Sequence, residues 1–165
     1  MRAIVAVDRE WGIGKNNDLL FHLPDDMKYF REKTLGKVVV MGSNTLLSFP
    51  GAKPLPKRTN IVLWPGGARE DCIVCQSLEE LKGILRGYPS DEIYVVGGAM
   101  FYRTMLPYCE EVLVTKVDAD GGAEVFFENL DKLPGWSQVS ASDPLENEGF
   151  TFRFCIYRNE TPETL

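Results

Sequence analysis

Histidine is almost missing from this chain of 165 residues, with His22 the single example. That leaves no room for histidine-based triads or histidine-rich metal sites, so acid–base chemistry falls to a carboxylate. Cysteine is scarce too: Cys72, Cys75, Cys109 and Cys155 are too few for a disulfide framework. Cys72-Ile-Val-Cys75 has CxxC spacing, but no second pair follows, which argues against zinc. A redox dithiol is the alternative to two ordinary strand cysteines, and the ordinary reading is favoured. No apolar run approaches the roughly 20 residues needed to cross a bilayer. The run Ala3-Ile-Val-Ala-Val7 is short and acidic residues follow at once, unlike a secretory signal. A cytoplasmic location with no membrane partner is therefore expected. Lys and Arg number 18 against 24 Asp and Glu, a formal charge of −6, which does not favour a nucleic-acid partner.

What is present is ordinary globular material, with no internal repeat, low-complexity tract or linker. The length suits one domain, so residues 1–165 read as a single unit. Ala3–Val7, Val38–Met41, Ile61–Leu63, Ile93–Val96 and Val112–Val117 are β-branched and nearly continuous in apolarity. Such runs predict strands covered on both faces of a mainly parallel sheet. Phe150–Tyr157 alternates instead, predicting an antiparallel or edge strand, with Trp136–Ala141 as its partner. Helices are predicted over Asp25–Lys33, over a short stretch from Asn44 to Phe49, after the capping-box sequence Ser77-Leu-Glu-Glu80, and from Ala99 to about Leu106 before Pro107. The expectation is an α/β fold of three layers. A mostly parallel central sheet carries flanking helices and a C-terminal antiparallel hairpin.

Two loops stand out. One runs from Asp8 to Pro24, long for a compact domain unless functional. The other, Gly51-Ala-Lys-Pro-Leu-Pro-Lys-Arg58, is rich in Pro and Lys. Asp26 shares a helix face with Phe30, beside Met27, and a carboxyl among apolar groups has a raised pKa. The alternative is that Asp25 and Asp26 are both solvated first-turn residues, Asp25 being the better cap candidate. Val95-Val-Gly-Gly98 before a helix, and Met41-Gly-Ser-Asn-Thr45 before another, let backbone N–H groups approach an anion. Gly12-Ile-Gly14 lacks the third glycine of a dinucleotide fingerprint. Arg58 would suit a substrate carboxylate, with Arg31 assisting.

Taken in order, these motifs resemble dihydrofolate reductase over nearly the whole chain. They are Ala6-Val-Asp-Arg9 with Gly12-Ile-Gly14, His22-Leu-Pro-Asp-Asp26 with Phe30, Val40-Met-Gly42 with Thr45, Pro54-Leu-Pro-Lys-Arg58, Val95-Val-Gly-Gly98 with Tyr102, and Thr115. The resemblance implies an eight-stranded sheet and hydride transfer from NADPH to 7,8-dihydrofolate, giving tetrahydrofolate for one-carbon metabolism. It implies that Asp26 binds the pterin and supports its protonation, with Thr115 behind the carboxylate and Phe21 on the wall. Around the substrate it places Ile4, Val5, Met27, Phe30 and Val96. Toward the tail it places Phe49, Leu55, Arg31 and Arg58.

For the cofactor the resemblance implies Ala6, Ile13, Gly14 and Leu19 on the lid side. It adds Gly42, Ser43, Asn44 and Thr45 after one strand and Leu63 and Trp64 after the next. Gly97, Gly98, Ala99, Met100, Phe101 and Tyr102 complete the set. The Asp8–Pro24 loop matches a mobile lid. Partners are dihydrofolate and antifolate-like small molecules, the expected state is a monomer, and no metal is expected.

Two departures matter. Phe21 stands where the family has tryptophan, so Phe21→Trp should be tolerated. Ser43 and Met100 replace common arginines, and Trp64 replaces a hydroxyl residue. NADPH is the expected cofactor, with NADH use as the alternative. A relative reducing another substrate would not combine the Asp26 and Arg58 motifs, and a non-catalytic binding protein would lack the acid.

Overall fold

A computed structural model describes residues 1–165. The elements in chain order are β1 (Arg2–Val7), β2 (Gly12–Lys15), β3 (Asp18–Leu19), α1 (Pro24–Thr34), β4 (Val38–Gly42), α2 (Ser43–Ser48), β5 (Thr59–Leu63) and β6 (Ile73–Cys75). There follow α3 (Leu78–Leu85), β7 (Ile93–Gly97), α4 (Ala99–Met105), β8 (Glu111–Val117), β9 (Val125–Phe126), β10 (Trp136–Ala141), β11 (Leu145–Asn147) and β12 (Phe150–Asn159). The central sheet runs β10-β12-β8-β1-β7-β4-β5-β6, with β11 added on β12. From β8 to β6 every pairing is parallel, and β12 is antiparallel to both its neighbours β8 and β10.

The parallel strands are apolar throughout because helices cover both faces. Val5, Val7, Val40, Val95 and Val114 point to the α3 and α4 side, against Leu81, Leu85, Phe101 and Met105. Their alternates point the other way. Ile4, Tyr94 and Leu113 meet Phe30 of α1, while Val39, Met41 and Val62 meet Leu46 of α2. Leu81 and Leu85 are fully buried, and each contributes on the order of 1.5–3 kcal/mol by leaving water. The helix α3 starts as its capping sequence predicts, with Ser77 Oγ accepting from Glu80 N at 3.2 Å. Glu80 reaches back to Gln76 N rather than to Ser77 N.

Three expectations change and a fourth narrows. Residues 8–24 are not a structureless loop: β2 pairs with β3 on one side and with β9 on the other in a second, three-stranded sheet. Of the two readings of Phe150–Tyr157, antiparallel or edge, the antiparallel one holds and the edge one does not: β12 lies between β8 and β10, with Thr151 and Arg153 exposed toward its start and Arg158 toward its end. The helix predicted to stop before Pro107 continues as a 3-10 turn, Leu106–Tyr108, where proline at the first positions is tolerated. Finally, Asp25 is not a cap. Leu23 holds that position without a side-chain bond, and Asp25 pairs instead with Asn147. All four cysteines are free thiols. Cys75 lies buried in β6 and Cys72 just before it.

Candidate active site

The carboxyl of Asp26 sits in the first turn of α1, over the sheet. Thr115 Oγ1 on β8 donates to Asp26 Oδ1 at 2.6 Å, and Thr115 itself is only 3% exposed. Burial pushes the Asp26 pKa up, and the Thr115 bond offsets that in part. The result is an acid that stays protonatable closer to neutral pH than an exposed aspartate, as proton-donating groups require. In the parallel register Ala6 lies opposite Thr115 and Ile4 opposite Leu113, so both share the Asp26 face. Phe30 and Val96 pack beside Ile4 there. Val5 alternates onto the opposite face, so only its backbone reaches this side. Met27 is 58% exposed and Arg31 is exposed, so neither forms part of the buried wall.

Phe21 is buried on the far flank, in a cluster with Leu23, Val117 and Phe152. Its ring meets Phe150 edge-on at 5.0 Å, and a side chain at Gly121 would come within 3.2 Å of it.

At the other end of α1 the buried Thr34 bridges two groups. Its hydroxyl donates to Phe30 O at 2.8 Å and accepts from Arg58 Nε at 3.0 Å. Arg58 Nη1 also donates to Pro56 O. Neither Arg58 nor Arg31 has a carboxylate within salt-bridge distance. Burial and the neighbouring Arg31 lower the Arg58 pKa. This is a paired-cation site whose charge no side chain of the chain answers. Leu55 and Phe49 pack against the apolar cluster of Leu46 and Val62. Asn60 holds the approach: its amide bonds Leu55 N, Leu55 O and Arg58 O.

The two glycine turns converge on one edge of the sheet. Gly42 ends β4 and precedes α2, and Gly97-Gly98 end β7 and precede α4, with β4 and β7 adjacent. Neither helix has a side-chain cap, so their first N–H groups are free to meet an anion. Gly97 has φ 138, and a Cβ there would stand 2.9 Å from Thr45 Oγ1. Backbone can therefore approach a ligand here only because side chains are missing, as a dinucleotide phosphate requires. Ser43, Thr45, Leu63, Trp64 and Ala99 rim this edge partly buried, while Asn44 is exposed and Met100 is 81% exposed. The Phe101 side chain lies in the core, which leaves its backbone alone for contact. Tyr102 is buried, and its hydroxyl donates to Ile4 O at 2.6 Å, tying α4 to the strand that carries Ile4 and Ala6.

The start of the segment between β1 and α1 is tethered by a residue that sequence reasoning missed. Asp8, 3% exposed, accepts from Glu10 N and Gly12 N through Oδ1 and from Gly121 N through Oδ2. Gly14 O accepts from Glu124 N, and Asn16 N donates to Glu124 Oε1. Ile13 packs on the core, while Leu19 on β3 is exposed. Thr34, Asn60 and Asn147 were missed as well. Asn60 left a signal, an asparagine inside the apolar strand Thr59-Asn-Ile-Val-Leu63, where that residue is disfavoured.

A half-buried acid over an apolar face, a cation pair without a carboxylate partner and two uncapped helix starts after parallel strands are together the features of an α/β protein that binds small anionic ligands at the carboxyl ends of its strands. The family model described as dihydrofolate reductase matches residues 1–159. The dihydrofolate reductase of Bacillus subtilis is 33% identical over 95% of this chain and 93% of its own length. That of Haemophilus influenzae is 35% identical over 77% and 78%. The solved dihydrofolate reductase of Enterococcus faecalis, complexed with NADP(H) and RAB-propyl, superposes with a TM-score of 0.83 at 30% identity, covering 96% of this chain and 95% of that one. The chain belongs to the dihydrofolate reductase family and is an NADPH-dependent oxidoreductase of that type. No helix is long and apolar enough to cross a membrane.

Proposed function

We propose that Asp26 is the acid of this reductase, binding the pterin amino group and supporting protonation of the ring nitrogen beside the carbon that is reduced. The observation that carries this is the half-buried Asp26, bonded at 2.6 Å by the buried Thr115 on the face shared with Ile4, Ala6 and Phe30. A positioned acid contributes on the order of 10²–10⁴-fold. Ile4 and Val96 present backbone toward the pterin, and Phe30 packs on it. Arg58, oriented by Thr34, anchors the carboxylate of the substrate tail.

The cradle at Gly42, Gly97 and Gly98 fits a dinucleotide pyrophosphate, with Ser43, Asn44, Thr45 and Ala99 at its rim. Bound there, reduced nicotinamide supplies the hydride. Ala6, Ile13 and Gly14 orient the carboxamide, and the lid bearing Leu19 excludes water from the pocket.

The expected cofactor is NADPH, with weak discrimination against NADH. Ser43, Trp64 and Met100 carry no charge for a 2′-phosphate. The nearby Arg69 is engaged by both oxygens of Asp71 and by Ala52 O. The chain is expected to act as a cytoplasmic monomer. Loss of reduced-nicotinamide absorbance with 7,8-dihydrofolate, measured on wild type and Asp26→Asn with NADPH and NADH, tests the assignment. Collapse of turnover in the variant supports it, and undiminished turnover removes Asp26 from the mechanism.

A further inference from the structure

Trp11 lies two residues before Ile13, at the root of the lid. It is buried, whereas the outer half, Lys15 to Leu19, is exposed. Its N–H donates to Asp8 O at 3.1 Å, and its carbonyl accepts from Phe127 N at 2.8 Å. The indole lies against Phe127 at 6.3 Å between centroids, meets Tyr157 edge-on at 5.5 Å, and has the Lys116 ammonium 5.4 Å from its ring. That ammonium is itself fixed. Lys116 Nζ donates to Asp131 Oδ2 at 3.2 Å and to the Tyr157 hydroxyl at 2.9 Å. The hydroxyl in turn lies 2.7 Å from Asp131 Oδ1 and 3.0 Å from Gln138 Oε1, either of which can take its one proton.

Two continuities connect this cluster to the site. Phe127 meets Tyr102 edge-on at 5.0 Å, and Tyr102 bonds Ile4 O. Lys116 also directly follows Thr115 on β8, and successive side chains of a strand face opposite sides. Thr115 holds Asp26 on one face, and Lys116 holds Trp11 on the other.

We propose that Trp11 is a positioning residue for the reductase reaction. Clamped by Lys116 and Tyr157, it holds the lid root so that the main chain of Ile13 and Gly14 is presented to the nicotinamide carboxamide. The proposal rests on the reading of the cofactor site above. A residue that only filled space would not depend on a neighbouring charge, whereas a cation over an aromatic face does.

The test compares Lys116→Met, Lys116→Arg and Trp11→Leu, using amide hydrogen exchange over Gly12–Lys15 and direct titration with NADPH and with folic acid. In Lys116→Met, exchange of the Gly12 and Gly14 amides and the Kd for NADPH both rise roughly threefold to tenfold. The Kd for folic acid stays within experimental error, and Lys116→Arg restores both affected quantities. Trp11→Leu shows the same pattern with larger changes. Unchanged lid exchange in Lys116→Met, whatever its melting temperature, overturns the clamp. A wild type that binds folic acid but no reduced nicotinamide overturns the cofactor reading instead, and the exchange data still decide the clamp.

Discussion

The Thr115 hydroxyl donates to Asp26 Oδ1 across 2.6 Å, joining β8 to the first turn of α1 over 89 residues of sequence. A hydroxyl bonded to a carboxylate favours the charged form, so this contact opposes the larger effect of burial on the Asp26 pKa. Thr115→Val removes it and the pKa rises further. A rate that needs the protonated acid is present below that pKa and is lost as pH rises through it. The alkaline fall of kcat/KM therefore moves to higher pH in Thr115→Val. The plateau also drops, by about tenfold or more, because the carboxylate left as the proton departs loses a hydrogen bond worth roughly 1.5–3 kcal/mol. A pH–rate profile that keeps the wild-type alkaline limb contradicts this.

Asp26→Asn separates catalysis from stability. Turnover falls by roughly 10²–10⁴-fold with the acid gone. The folded pKa of Asp26 is raised, so the stability it contributes is present below the unfolded pKa and lost as pH rises through the folded value. At neutral pH the wild type carries that loss and the asparagine variant does not. Melting curves should place Asp26→Asn level with or above wild type near neutrality, with any advantage closing as the pH is lowered. A variant markedly less stable than wild type at neutral pH would speak against a strained carboxyl.

The parallel strands β1, β4, β5, β7 and β8 were legible because helices on both faces demand near-continuous apolar runs. The helix α3 was legible because Ser77 supplies its own local cap. What escaped was structure made by distant partners. β2, β3 and β9 are two to four residues long and exist through pairing with one another, so no local period announces them. Asp25 reads as a cap until Asn147, 122 residues on, takes its N–H and meets its carboxylate. In the site, Asp26 left a pattern on its own helix, and Thr115 was reached through the family resemblance. The Thr34–Arg58 contact left no trace, because a threonine at a helix end has many ordinary uses.

Arg58→Leu tests the tail anchor. Arg58 is partly buried, faces Arg31 and lacks a carboxylate of its own. Losing a charge-assisted bond of about 1.5–3 kcal/mol raises the KM for dihydrofolate roughly 10- to 150-fold. A pteridine lacking the glutamate tail should bind both proteins equally. Equal weakening of the two ligands would place Arg58 in the scaffold.

Phe21→Trp tests the tight flank. Gly121 and Phe150 close around the present ring, and the larger indole must displace one of them. Overpacking of this kind costs about 1–3 kcal/mol, seen as a lower melting temperature. The variant should still fold and turn over, since Phe21 offers an apolar wall and no proton. Loss of folding would show that the flank cannot yield.

Ser43→Arg tests cofactor choice. Ser43 opens α2 at the phosphate cradle, and Arg69, a cation of the loop after β5, is already held by Asp71. Nothing positive on this rim answers a 2′-phosphate, so wild-type kcat/KM with NADPH and NADH should lie within about tenfold of each other, less than one charge-assisted contact confers. A guanidinium at position 43 would meet the phosphate as a bidentate donor. It should raise the NADPH-to-NADH ratio by roughly 10- to 100-fold, chiefly through the KM for NADPH. Added salt should erode that gain, because the new contact lies at an accessible rim. A wild type that already strongly prefers NADPH would mean that backbone N–H groups of α2, not side-chain charge, hold the phosphate. The substitution would then leave the ratio almost unmoved.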